Sequence, residues 1–250
     1  MVDMKKILVV GGANGIGLSV ATLLAQRPTC EKVVIIDRVP VSKEYRHPKF
    51  EQHLFDLTTP DYAIFDQFLE CDTLFISAGF GHLALFRDVS EEQIIDYFNV
   101  NTLPVLRIIK RFYPKLEAQA DFYCGVMVSI AGFMTSPFLS VYAATKAAQR
   151  MFIESVNVEL VKSGSPNRIL NVSPGSIQGT CFNGGKTDLS QTEALAKDII
   201  RHLEQKDDLF IPQYEEVFKG VLERYHADFR AEGLHSYDYK VQSGRVPTKS

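Results

Sequence analysis

Apolar residues along this chain follow two different rhythms. Uninterrupted apolar runs fill residues 7–10 and 33–36, Thr73 leads a third through residue 76, and a further run, broken by Ser129, covers 123–130. Runs of this length, rich in Val, Ile and Leu with no polar alternation, predict strands buried on both faces of a parallel sheet. Weaker runs at 50–55, 168–172 and 209–211 add further short strands. The segments between them repeat at helical spacing. Ile16, Val20, Leu23 and Leu24 give residues 15–26 one apolar face, and Pro28 marks its end. Residues 61–69, 91–116, 140–162, 192–205 and 215–229 also read as helices. Ser90 and Gln93 have the spacing of a capping box at the start of the 91–116 helix. Pro104 falls inside that helix, where it is expected to kink the chain or free a carbonyl, and Asn99 and Asn101 lie just ahead of it. Residues 176–191 keep no period and are expected to form a lid over a substrate. The tail, 234–250, has no strong pattern.

Strands and helices therefore alternate throughout. The expectation is a single α/β domain spanning 1–250, doubly wound around a central parallel sheet of about seven strands. With 46% apolar and 23% charged residues the chain is ordinary for a globular protein. The net charge is -3 and no basic block stands out, which argues against a nucleic-acid partner. Cys30, Cys71, Cys124 and Cys181 are scattered, with no Cys-x-x-Cys pair. That spacing argues against a metal centre or a disulfide framework and fits reduced thiols in the cytoplasm. The first strand begins almost at once, leaving no room for a signal peptide, and no apolar run is long enough for a membrane span.

The chemistry enters with Val9-Val10-Gly11-Gly12-Ala13-Asn14-Gly15-Ile16-Gly17. A glycine cluster between a strand and a helix is the setting in which the backbone approaches a pyrophosphate closely and a helix N-terminus faces it. Asp37 ends the second strand, twenty residues beyond Gly17. A carboxylate there accepts from both adenosine ribose hydroxyls and repels a 2′-phosphate, so NAD is favoured. Arg38 could pair with that phosphate, which keeps NADP as the alternative. Asp56 closes the third strand and could sit beside an adenine, or be a solvated loop acid. Ser77-Ala78-Gly79 ends the fourth strand with small residues, leaving room for a cofactor. Tyr142 and Lys146 are one helical turn apart. A free Tyr ionises near pH 10, and a cation beside it favours the phenolate. Ser129, at the end of a strand, could hydrogen-bond a substrate oxygen, and Asn101 could complete a proton path through water. Phe80, Phe133, Met134, Phe138 and Phe182 lie in loops that could line an apolar pocket, or could simply pack those loops.

These motifs resemble the short-chain dehydrogenase/reductase family, with a Rossmann fold. The nucleotide turn matches at every glycine, with Val10 where the family has Thr. Ala78-Gly79 match the motif after the fourth strand, although Ile76 and Ser77 replace its two asparagines. Tyr142-x-x-x-Lys146 is the catalytic pair, Ser129 lies thirteen residues earlier, and Asn101 corresponds to the helix Asn, with Pro104 in place of the usual Gly. Pro174-Gly175 follow the sixth strand; position 179 is Gly where a Thr is common, and Thr180 comes next. The resemblance thus implies Asn101, Ser129, Tyr142 and Lys146 as catalytic residues. It implies cofactor contacts from Gly11, Asn14, Gly15, Ile16, Gly17, Asp37, Arg38, Asp56, Leu57, Ala78, Gly79, Tyr142, Lys146, Pro174, Gly175, Ile177 and Thr180. The implied activity is hydride transfer between NAD(H) and a small-molecule carbonyl or secondary alcohol, without a metal. The chain end lacks the Asp-Gly-Gly pattern that builds tetramers in many members, so a homodimer is expected ahead of a tetramer. An idle dinucleotide sensor or scaffold, and an NAD-dependent epimerase, are the rival classes.

Overall fold

A computed structural model of the chain describes residues 2–246. Seven strands form one parallel sheet in the order β3-β2-β1-β4-β5-β6-β7. They are β1 (Lys6–Val10), β2 (Lys32–Asp37), β3 (Phe50–Leu54), β4 (Thr73–Ile76), β5 (Tyr123–Met127), β6 (Ile169–Val172) and β7 (Leu209–Phe210). Side chains alternate across a strand, and the two faces of β1 and β2 show it. Ile7, Val9, Val33 and Ile35 pack against α1 (Gly15–Ala25) and α5 (Leu189–Gln205), through Leu24, Ile199 and Leu203. Leu8, Val10, Val34 and Ile36 pack on the opposite face. There they meet α3 (Leu103–Glu117) through Ile108 and Phe112, and α4 (Ser140–Lys162) through Ile153 and Leu160. The central strands are covered on both faces, and that is why their runs are apolar, whereas the edge strand β3 carries Glu51, Gln52 and His53. The strand order reverses between β1 and β4, so the crevice where an open α/β sheet binds ligands lies at their carboxyl ends.

Several expected elements differ. Residues 61–69 are not α-helical; Ala63–Phe68 is a 3₁₀ turn, entered from Tyr62, whose hydroxyl donates to the Leu57 carbonyl at 2.6 Å. The expected 91–116 helix is divided into α2 (Glu91–Tyr97), a π-helical turn (Phe98–Thr102) and α3. The capping box of Ser90 and Gln93 is formed as expected. Pro104 opens α3 as its second residue, where its missing N–H is tolerated, and the irregularity falls on the preceding turn instead. β5 stops at Met127, and Ser129 caps the short 3₁₀ turn Ile130–Gly132. α5 begins at Leu189, capped by the Asp188 side chain, so the irregular segment ends before the expected residue 191.

The tail is also corrected. A π-helical turn (Tyr214–Phe218) leads into α6 (Lys219–Ala227), and α7 (Phe229–Gln242) follows a break at Asp228. Asp228 N–H donates to Arg224 O at the end of α6, and its carboxylate caps α7, accepting from the N–H groups of Arg230 and Ala231 at 3.0 Å. Packing makes α7, not an apolar stripe. Tyr237 lies against Phe138 with ring centroids 4.5 Å apart, and Lys240 donates to Pro137 O at 2.9 Å. The last four residues of the tail, 247–250, lie outside the described residues.

Candidate active site

The nucleotide turn is built from contacts only glycine permits. Gly11 has φ +79, and a Cβ there would stand 2.4 Å from the Ala78 nitrogen. A Cβ on Gly17 would stand 2.2 Å from the Gly11 carbonyl. The turn is thus pressed against the end of β4, whose Ser77 and Ala78 N–H groups both donate to Val10 O. Asn14 stands at the N-cap position of α1 without a side-chain capping bond, and Gly15 and Ile16 begin the helix, both buried. Asp37 supports the turn from β2: its carboxylate accepts from Ala13 N–H at 2.9 Å and from Val39 N–H at 3.3 Å. Arg38 is exposed beside it. Asp56 is exposed and accepts from the N–H and hydroxyl of Thr58, both at 2.8 Å; those bonds hold its carboxyl below the usual range.

The segment expected to form a lid packs on this turn. Thr187 Oγ1 accepts from Gly15 N–H and donates to Asn14 Oδ1, each at 3.2 Å. Thr180 packs directly over Gly15 and donates to Ile177 O. Phe182 sets its ring edge-on to Tyr142, centroids 5.2 Å apart. Pro174 accepts from Ile130 N–H at 3.0 Å, and Gly175 leaves room for the Phe218 ring. Of the aromatic residues expected to line a pocket, Phe182 stands at Tyr142. Phe80 stacks on Tyr97, Phe138 packs on Tyr237, and Phe133 faces the Arg150 guanidinium.

Four side chains meet at the carboxyl end of β5. Tyr142 and Lys146 are buried on α4. Ser129 faces Tyr142 and also accepts from Ala131 N–H at 3.2 Å. Burial pushes the Tyr142 phenol up to about 12, the hydrogen bond with Ser129 pulls it down, and nearby Tyr97 adds to the rise. Lys146 makes its hydrogen bonds elsewhere. Its Nζ lies 5.7 Å from the Tyr142 ring centroid and donates to Met127 O at 2.8 Å and to Gln149 Oε1 at 3.1 Å. The cation expected to favour the phenolate is therefore held elsewhere, and desolvation lowers its own pKa to about 7. The Asn101 side chain ties the loop after β4 to α4. Its Oδ1 accepts from Phe80 N–H at 2.9 Å, and its Nδ2 donates to Phe80 O at 2.9 Å and Thr145 Oγ1 at 3.2 Å. Ala78 and Gly79 pass alongside; a Cβ on Gly79 would come within 3.2 Å of Asn101 Oδ1.

Sequence reasoning missed Thr187 and Gln149. Thr187 lies in a stretch without periodicity, so its position gave no signal. Gln149 did carry one: it is a polar residue three places beyond Lys146, on the buried side of a helix.

Residues 5–191 match the family described as short chain dehydrogenase. The chain is 30% identical over 189 residues to the vibriobactin-specific 2,3-dihydro-2,3-dihydroxybenzoate dehydrogenase of Vibrio cholerae, covering 69% of this chain and 70% of that protein. It is 28% identical to dehydrogenase RED2 of Cochliobolus heterostrophus over 170 residues, which span 65% of this chain and 63% of that relative. A short-chain dehydrogenase from Sphingobium yanoikuyae, solved in complex with NADPH, shares the fold with a TM-score of 0.71 at 21% identity, covering 90% of this chain and 95% of that one. On the match across residues 5–191, this chain belongs to the short-chain dehydrogenase family of oxidoreductases.

Proposed function

We propose that this protein is an NAD(H)-dependent oxidoreductase acting on a small-molecule carbonyl or secondary alcohol, with Tyr142 as general acid/base. The observation that carries the reading is the meeting of Ser129, Tyr142 and Lys146 at the end of β5, beside a turn that glycine alone permits. The turn fits a dinucleotide. Gly11 and Gly17 leave no volume for side chains, and the Gly15 N–H at the start of α1 already holds an oxygen, that of Thr187. Gly15 to Gly17 would hold the pyrophosphate, Asp37 the adenosine ribose, and Lys146 the nicotinamide ribose.

When bound, the nicotinamide supplies the hydride acceptor or donor. The Tyr142 phenol, protonated across the physiological range, donates its proton to a carbonyl oxygen as that carbon is reduced. Ser129 steadies the same oxygen and lowers the cost of the phenolate that Tyr142 becomes. In the opposite direction Tyr142 must accept the alcohol proton, and a charged Lys146 brought towards the ring assists that step. Asn101 fixes the loop that walls the crevice. Asp37 favours NAD over NADP, with exposed Arg38 and the NADPH-bound structural neighbour on the other side of the balance. Exposed apolar residues on α4, Met151, Val158 and Val161, fit a homodimer, and a cytoplasmic enzyme is the setting we infer. Among the described residues no helix is long and apolar enough to cross a membrane.

One observation favours a second reading. The lid covers both the Gly15 N–H and the Tyr142 ring, as an idle sensor that changes shape with dinucleotide could do. Oxidation of NADH and NADPH, side by side across a carbonyl panel, decides between them. The enzyme reading expects turnover with NADH, and Asp37→Ala should weaken NADH more than NADPH. Tight NADH binding without turnover in either direction supports the sensor.

A further inference from the structure

Gln149 lies three residues beyond Lys146 on α4, so the two side chains share a face of the helix. It is completely buried. A carboxamide in that position is costly unless both of its ends are paired. Both are. Its oxygen accepts from Lys146 Nζ at 3.1 Å, and its nitrogen donates to the main-chain carbonyl of Asn101. The chemistry leaves no choice of orientation, because an ammonium only donates and a carbonyl only accepts. Asn101 belongs to the π-helical turn ahead of Pro104, where regular α-helical pairing is interrupted and a carbonyl is open to a side chain.

We propose that Gln149 is a positioning residue: its carboxamide bridges the Lys146 ammonium to the Asn101 carbonyl and takes the place of a water path between them. The inference rests on the reading of Lys146 as a residue of the active site. The bridge has two consequences. Together with Met127 O it pins the ammonium away from Tyr142, so cofactor must draw Lys146 out of an existing pair of hydrogen bonds. It also transmits no proton, because a primary amide gives and receives hydrogen bonds without ionising.

The groups around Lys146 are few. Tyr142 lies one turn earlier on the same helix and Tyr97 stands beyond it on α2; the α2 carboxylates Glu91, Glu92 and Asp96 are exposed. The neighbouring π-helical turn, Phe98–Thr102, and the 3₁₀ turn Ile130–Gly132 carry no charged residue. On α3, Arg107, Arg111 and Lys115 point to partners around residues 59–69, and Lys110 lies over Tyr113. Desolvation by burial is what lowers the Lys146 pKa.

The test follows the Lys146 signal by NMR against pH in protein labelled with 13C-lysine, assigned with Lys146→Met. Gln149→Met keeps the volume and removes both hydrogen bonds, and should lower the Lys146 midpoint by about one pH unit. Gln149→Glu puts a carboxylate against the ammonium and should raise it by roughly 1–3 units. Thermal melts establish that each variant is folded, and either folded variant is sufficient to decide. An unmoved midpoint overturns the proposal and leaves Gln149 as packing alone. The measurement needs no substrate, so a shifted midpoint in a protein without turnover would fail the enzyme reading and keep the bridge.

Discussion

Lys146 shows how much one buried residue can impose on its surroundings. Its ammonium has two carbonyl-type acceptors and no carboxylate partner, and burial brings its pKa from the ordinary 10.5 to about 7. Between those two values the unfolded chain binds a proton that the folded chain does not. Stability contributed by this position therefore rises with pH from about 7 upward. Lys146→Met removes the linkage. The variant should gain stability relative to the parent near pH 7, and that advantage should shrink by about 1 kcal/mol per pH unit towards pH 10. Urea unfolding at a series of pH values measures it; a pH-independent difference would mean that the ammonium is solvated. At this scale the sequence was informative where a residue type is rarely tolerated. Gly11, Gly17 and the Tyr142–Lys146 spacing pointed to the crevice before any coordinates. It was silent on direction: helical spacing put Lys146 and Tyr142 on one face, but only packing shows that Lys146 turns to Met127 and Gln149.

At the scale of elements, the irregular segment ahead of α5 and the first helix share one hydrogen-bonding group. The Gly15 N–H is occupied by Thr187 from a segment 172 residues away in sequence. A pyrophosphate at the start of α1 must displace that hydroxyl or accept from it. Displacement is what the bond to Asn14 Oδ1 implies, since Thr187 is satisfied as donor and acceptor already. Thr187→Ala should therefore tighten NADH binding about 3- to 10-fold, the equivalent of roughly 1 kcal/mol for one neutral hydrogen bond. Quenching of intrinsic tyrosine fluorescence reports it, and weaker binding would instead make Thr187 a ligand of the dinucleotide. The apolar runs identified the strands because parallel strands must be apolar on both faces. Residues 61–69 were misread because an apolar set at helical spacing does not distinguish a 3₁₀ turn from an α-helix. Pro104 was placed inside a helix when it begins one, since a Pro marks a boundary without saying which side of it the irregularity takes.

On the scale of the molecule, the two halves of the crevice depend on different parts of the chain. The glycine-turn side rests on β1, α1, β2 and α5, which share one face of the core. The loop ahead of α4, on the Tyr142 side, is braced by the last helices. Gly233 approaches Thr135, Tyr237 meets Phe138, and Lys240 holds Ser136 and Pro137. Arg224 and Glu232 join α6 to α7 at 2.7 Å. The tail was illegible in the sequence because α7 lacks an apolar stripe; its order comes from contacts with a loop about a hundred residues earlier. Phe138 has φ +66, a conformation that costs energy in a residue with a side chain and persists only under such packing. Ending the chain after Asp228 should loosen the loop Thr135–Phe138, which α7 braces. We expect the KM for a carbonyl substrate to rise at least several-fold while NADH affinity stays within about twofold; parallel losses would show that α7 supports the whole domain.

The central claim is that Tyr142 carries the proton for hydride transfer at a dinucleotide site. Turnover of NADH and its binding, measured together on the parent and on Tyr142→Phe, test it most directly. The account predicts a fall in kcat of about 10²- to 10⁴-fold, with the NADH dissociation constant nearly unchanged. Near-parental turnover by Tyr142→Phe would contradict it.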